Sequence, residues 1–296
     1  MSSFFRLYTV VFLLLGLPVL AGAVQQEEVA VLFSREIAPY VTAVTALEER
    51  LRPRQVVRFF LDDRGRPYSL EARHTSLDPQ RFSAVVAIGP EALRYLQPAA
   101  GSTPLVFGMV LDPKPHRETA QPLCGVNLTL PMGDQLAHIR RLFPDRQRLG
   151  VLFDPDNNQS WFDQAHPLAR AMGLSLVPLN VSREGGRFDI IGALSTVDTL
   201  LFIPDRSIIS RAVIQHVIKQ GLQSGKPAVG FNRFFLDSGA ALAFIIDYEE
   251  VGRQVAQLVL RQLDSGCATI DPPVFSATVN DDVLRLLRPR PAGGAP

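Results

Sequence analysis

Leu149 to Ser160 reads LGVLFDPDNNQS, a short apolar run that breaks abruptly into a polar stretch before a helical pattern begins at Trp161. A run of this length, closed by a turn and followed by a helix, fits a strand of a parallel sheet whose carboxyl end opens onto a loop. The same grammar occurs earlier in VAVLFSREIAPY, Val29 to Tyr40. Two further echoes follow in the same order. AVVAIGPEAL (Ala84 to Leu93) is answered by LLFIPDRSII (Leu200 to Ile209), and TPLVFGM (Thr103 to Met109) by KPAVGFN (Lys226 to Asn232). Three matched junctions in register predict two similar α/β lobes in tandem. Ligands of such sheets sit outside the carboxyl ends of the strands, so the residues just past each run are the informative ones.

The bulk properties agree with two lobes. A chain of 296 residues is too long for one small core and suits two domains of ordinary size. The formal charge is +1, and loss of the leader described next would remove Arg6 and no acid. The result is a near-neutral protein, which argues against nucleic acid as a partner.

The first 23 residues carry one base, Arg6, then LYTVVFLLLGLPVLAGA, ending in Ala21, Gly22 and Ala23. This pattern predicts a secretory signal peptide over 1–23, cleaved after Ala23. The apolar run is broken by Gly16 and Pro18 and is short for a membrane span. No cysteine lies near the cleavage point to take a lipid. The expected product is exported and free in an oxidising compartment. There the two cysteines, Cys124 and Cys267, fit either a disulfide or two buried thiols.

Signatures of catalysis are missing from the sequence: there is no G-x-S-x-G elbow, H-E-x-x-H, C-x-x-C, G-x-G-x-x-G or P-loop. The five histidines, His74, His116, His138, His166 and His216, lie far apart without ligand spacing. No catalytic residue, metal or cofactor is expected.

Two longer stretches carry a resemblance. GVLFDPDNNQS (Gly150 to Ser160) resembles the G-V-L-Y-N-P-x-N-x-x-S element of the periplasmic substrate-binding proteins of ABC transporters, in the branch that includes tryptophan-binding members. DYEEVGRQVAQLVLRQL (Asp247 to Leu263) is similar to that branch's D-Y-x-x-L-G-R-Q-A-A motif. With GPEAL, VFGMVLDP and IPDRSIIS, the likeness spans nearly the whole mature chain. Phe153 and Asp154 stand where Tyr and Asn are usual, and the crossover region is shorter than the glycine-rich version common in the branch, so the solute does not transfer.

The resemblance implies an α/β fold of type I: two Rossmann-like doubly wound lobes joined by a three-crossover hinge. Lobe 1 would comprise 24–123 plus 239–266, and lobe 2 would comprise 124–238 plus 267–287, with a disordered tail at 288–296. The chain would leave lobe 1 in the loop Pro113 to Pro122, return near Ser238 and cross again near Cys267. That placement favours a Cys124–Cys267 disulfide on neighbouring hinge strands, which could also limit opening. The implied role is a monomeric periplasmic protein that clamps a small organic solute, an amino acid or related compound being one candidate, and hands it to an ABC permease. A sensor presenting the same solute to a membrane kinase or chemoreceptor is the alternative, and a secreted enzyme is less favoured.

The candidate ligand-binding residues follow from the junctions. Lobe 1 offers Ser34, Arg35, Glu36, Gly89, Pro90, Glu91 and Met109. Lobe 2 offers Asp154, Asn157, Gln159, Ser160, Asp205, Arg206 and Asn232, and Asp247 comes from the second motif. For a zwitterion, Asp205 and Asp247 are the expected acceptors for an ammonium group. Arg35, Arg206, Ser160 and the N–H groups at helix starts are the expected donors to a carboxylate. Each acid fits a helix cap or surface ion pair as well. Trp161, Phe162, Phe231 and Tyr248 could line an apolar wall, though packing within a lobe suits most of them better.

Overall fold

The computed structural model describes residues 28–71, 73, 76–114, 122–180, 190–205, 207 and 210–287. The leader 1–23, the tail 288–296 and Arg206 therefore lie outside the described residues.

The chain runs β1 (Val29–Phe33), α1 (Ala38–Leu51), β2 (Val56–Leu61), β3 (Pro67–Tyr68), a 3-10 turn (Pro79–Arg81), β4 (Ala84–Ile88), α2 (Pro90–Ala99), β5 (Leu105–Val110) and β6 (Gly125–Asn127). It continues through α3 (Met132–Leu142), β7 (Arg148–Phe153), α4 (Pro155–Ala171), β8 (Ser175–Asn180), α5 (Ile190–Thr196), β9 (Thr199–Phe202), α6 (Arg211–Gln223), β10 (Ala228–Gly230), α7 (Arg233–Asp237) and β11 (Leu242–Ile246). It closes with α8 (Tyr248–Asp264), β12 (Ile270–Asp271), β13 (Phe275–Val279) and α9 (Asp281–Leu287).

Two sheets form, in the orders β12-β6-β5-β4-β1-β2-β3 and β13-β11-β10-β9-β7-β8. Superposing the orders shows the duplication: β6-β5-β4-β1-β2 in one sheet corresponds to β11-β10-β9-β7-β8 in the other. The matched runs read from the sequence thus occupy equivalent strands, β1 with β7, β4 with β9 and β5 with β10. These ladders are parallel, and β3 and β13 add antiparallel edges. Helices cover both faces of each sheet, as continuous apolar parallel strands require. In the first lobe, α1 and α8 share one core with the sheet, and α2 fills the other face. In the second, α3, α4 and α9 pack on one face and α5, α6 and α7 on the other.

The hinge departs from the sequence expectation at each crossing. Gly125–Asn127 does not open lobe 2 but adds a strand to the first sheet, so the first crossing follows it: Leu128 packs on the first core and Leu130 is buried in the second. The strand expected in 239–266 belongs to the second sheet, and only α8 returns to the first lobe. Ile246 touches both cores at that crossing. The third crossing follows Asp271 rather than Cys267, because Ile270 and Asp271 pair with Gly125 and Val126. The adjoining Pro272 and Pro273 stop this pairing, since neither offers an N–H to a ladder. Each lobe therefore sends its last core strand straight into the hinge and receives its next helix from the other side.

Cys124 and Cys267 form a disulfide with Cα atoms 5.6 Å apart. Both belong to the first core, just ahead of β6 and β12. The bond stitches two strands of one lobe at the roots of two crossovers and does not link lobe to lobe, so it sets no direct limit on opening.

Candidate functional site

Because β6, β11 and β12 all run by their carboxyl ends into the crossovers, both sheets direct their carboxyl ends toward the hinge side. Within each sheet the chain order reverses between β1 and β4 and between β7 and β9. Such switch points are where open α/β sheets leave a crevice for ligands.

At the first switch point the Ser34 amide donates to the Ile88 carbonyl at 2.9 Å, and Ser34 Oγ accepts from the Ala92 amide at 2.8 Å. Ser34 is 7% exposed, so its hydroxyl serves as a cap for α2. Gly89 begins that helix with φ +92° and Pro90 takes its first position, a turn that only glycine enters without strain. A Cβ at Gly89 would stand 2.6 Å from Ser34 Oγ and 2.7 Å from the Tyr40 hydroxyl. Arg35 and Glu36 are exposed in the following loop, and Arg35 faces Glu91 at 3.8 Å. Tyr40, in the first turn of α1, is the participant that the sequence did not single out. Its phenol is raised above its ordinary range by burial and by the neighbouring Glu91, against a lowering from Arg35.

Met109 behaves differently from its neighbours. It has φ +62° at an irregularity where β5 slips against β6, and its side chain is 2% exposed in the first core. A positive φ at a non-glycine residue is strained. What reaches the rim at this junction is bent backbone and the half-exposed Leu111.

At the second switch point the expected loop is helical. Asp154 caps α4, accepting from the Asp156 amide at 3.1 Å, and Pro155 takes the first helical position. An Asp cap, a proline and an acid in the first turn are all helix-start signals. The residue of α4 with non-helical backbone angles is Asn158, whose φ of −132° marks a kink.

Asp205 explains the kink. One of its carboxylate oxygens accepts from the Asp154 amide at 2.8 Å and from Asn158 Nδ2 at 2.6 Å. The other accepts from the Ser207 amide at 2.7 Å and Asn157 Nδ2 at 3.3 Å. Ser207 Oγ donates to the remaining Asp154 oxygen at 2.6 Å. A carboxylate has about four acceptor positions, and Asp205 fills them within the protein. At 9% exposure, it fastens the β9 loop to α4 and is not placed as a vacant acceptor for an ammonium group.

Gln159 and Ser160 are exposed on the second turn of α4, where they pair with Asp163 and Gln164 one turn on. They are not gathered with the junction. Asn232 caps α7 without a side-chain hydrogen bond, and its Oδ1 is buried with no partner among the described residues. Asp247 caps α8 through Glu250 N at 3.0 Å and donates its own amide to Val274 O across the hinge at 3.0 Å. Trp161 and Phe162 pack on the second core, Phe162 stacking on Phe153 at 5.0 Å. Phe231 packs on Phe235 at 4.7 Å. Of the proposed wall residues, Tyr248 packs on the first core and is near enough to Tyr40 to raise its phenol.

Comparison with known proteins bears on the family and the fold. Residues 65–284 match the family model described as ABC transporter substrate binding protein. A search among curated proteins returned no match. Among solved structures, the chain is similar to the ligand-free, open structure of CD0873, a substrate binding protein with adhesive properties from Clostridium difficile, with TM-score 0.68, 14% identity and coverage of 90% of this chain and 96% of that one. The ABC domain in complex with L-Trp from Streptococcus pneumonia gives TM-score 0.57, 18% identity and coverage of 88% and 94%. The periplasmic ribose ABC transporter from Conexibacter woesei gives 0.54, 11%, 88% and 94%. At these identities the structures bear on the fold, whereas the family model covers well over half of the chain. This chain belongs to the ABC transporter substrate-binding protein family.

Proposed function

We propose that this protein is exported to the periplasm, captures a small organic solute between its lobes and delivers it unchanged to an ABC permease. The observation that carries the reading is the pair of switch points, built on equivalent strands of a duplicated fold and both directed at a three-crossover hinge. A solute touching both lobes makes more contacts in the closed than in the open state, and that difference favours closure. The closed surface is then what a permease recognises. Relatives in structure include a protein solved with L-Trp and one described as a ribose transporter, and an amino acid or related compound is the class we favour. The two poles support this: Arg35 and the phenols of lobe 1 suit a carboxylate, while Asp247 at the hinge keeps one carboxylate oxygen beyond its cap.

The test is a thermal-shift screen of the mature protein against the standard amino acids, nucleosides, sugars and small organic acids. A binder raises the melting temperature by mass action. A shift with one class, and recovery of that compound intact after denaturation, supports capture. Chemical conversion of the bound compound would refute it.

A further inference from the structure

Helices α1 and α8 lie side by side, and their contact is close enough to need a glycine. A Cβ on Gly252 would stand 1.9 Å from the Ala43 carbonyl oxygen. Tyr40 lies one turn before Ala43, and Tyr248 one turn before Gly252. Residues three or four apart share a helix face, so the tyrosines continue the same seam beyond the glycine contact, toward the helix starts. That end of the seam is the first switch point: Tyr40 lies against Gly89, and Tyr248 directly follows the hinge residue Asp247.

Both phenols are half-buried against the first core. A half-buried tyrosine hydroxyl usually finds a partner. Among the described residues neither hydroxyl has one, and neither is sealed away from solvent.

We infer that Tyr40 and Tyr248 are the specificity-determining pair of lobe 1, donating their two hydroxyl hydrogens to a carboxylate of the bound solute. This inference rests on the solute-capture reading above. A phenol of ordinary acidity is already protonated near neutral pH, and burial raises both further, so both are available as donors. Arg35 is a cation at this rim, 3.8 Å from Glu91, and Glu91 acts on Tyr40 more strongly than Arg35 does, so the hydroxyl hydrogens rather than net positive charge are what this pole offers. No described partner competes for either hydroxyl, in contrast to the occupied carboxylates of lobe 2.

The experiment is equilibrium dialysis of the mature protein against an equimolar mixture of the twenty standard L-amino acids, with the retained compound measured by mass spectrometry. Wild type, Tyr40→Phe, Tyr248→Phe and the double variant are compared, and circular dichroism confirms that each is folded. The retained amino acid is then competed with its own carboxamide. A hydrogen bond to a charged group lost from each site should weaken retention about tenfold or more, with the carboxamide competing at least about tenfold less well than the acid. Equal retention by wild type and both folded Phe variants overturns the pair's role, as does a carboxamide that competes equally. If wild type retains no amino acid, the pair's proposed partner is refuted. A positive shift with another class in the thermal screen would then show that capture itself survives.

Discussion

The two junctions that face the hinge occupy equivalent strands of a repeated fold, yet they handle their polar groups in opposite ways. In lobe 2, Asp154 and Asp205 are buried, the Asp205 carboxylate accepts from the Asp154 amide and from Asn157, Asn158 and Ser207, and Asp154 accepts from the Ser207 hydroxyl, so the β9 loop and the start of α4 form one closed unit. In lobe 1, one hydroxyl, Ser34, is used as a cap, while two phenols and a loosely paired arginine remain open. On the proposed reading the difference amounts to a division of labour, in which lobe 2 would supply a prearranged wall and lobe 1 the groups free to discriminate. Preorganisation of one wall lowers the ordering cost of binding.

The sheet edges differ in the same spirit. The first sheet ends in the two-residue β12, and the disulfide beside it closes a separation of 143 residues. The second ends in the five-residue antiparallel β13 and has no covalent aid. The largest effect should therefore come from breaking the disulfide. Cys124→Ala with Cys267→Ala should lose up to about 5 kcal/mol by the loop-entropy model, read from urea unfolding.

Next, Asp205→Ala removes the acceptor shared by the amides of Asp154 and Ser207 and the side chains of Asn157 and Asn158, and should cost about 3 kcal/mol. The counterpart Ser34→Ala removes one cap and should cost about 1 kcal/mol. Equal losses in urea midpoints would erase the contrast between the junctions. Gly252→Ala should then cost about 2 kcal/mol by overpacking, whereas Gly133→Ala, with open space around its Cβ, should not destabilise. Differential scanning calorimetry separates these outcomes.

A smaller effect should appear in acid. The Asp198 carboxyl is held down to about 2, first by its hydrogen bond with the Arg148 side chain and further by the amides of Arg148 and Gln147. A depressed carboxyl stabilises the folded state above its unfolded value near 3.8, and that contribution fades as the pH falls through about 2. Asp198→Asn should therefore be less stable than wild type above pH ~4 and converge with it toward pH ~2, measured by urea unfolding at each pH. Smallest of all, Arg35→Ala should change stability by less than about 0.5 kcal/mol, because the Glu91 pair is long and exposed. Its effect should fall on solute affinity.

The repeat was legible because parallel strands buried on both faces leave apolar runs, and three of them recur in order. The crossover positions were not, because β6 has three residues and β12 two. Such strands carry no pattern of their own and exist through pairing with a neighbour. Asp154 to Ser160 was misread as a loop for a related reason: its polar residues look like a turn, but Asp-Pro-Asp is also a helix start. Asp205 looked free to hold an ammonium group because its partners Asp154, Asn157 and Asn158 lie 47 to 51 positions away in sequence. Tyr40 was passed over because an aromatic residue in the first turn of an amphipathic helix reads as packing. The role proposed for it depends on α8, which brings Tyr248 to the same core. The disulfide was reached through the family resemblance, which placed both cysteines near the hinge, while pairing of the adjoining strands explains why they meet.

The most direct measurement is small-angle X-ray scattering of the mature protein with and without the compound that gives the largest thermal shift. A clamp predicts a smaller radius of gyration at saturation, with the thermal shift and the compaction titrating together. An unchanged radius at full occupancy would contradict closure of two lobes around the solute.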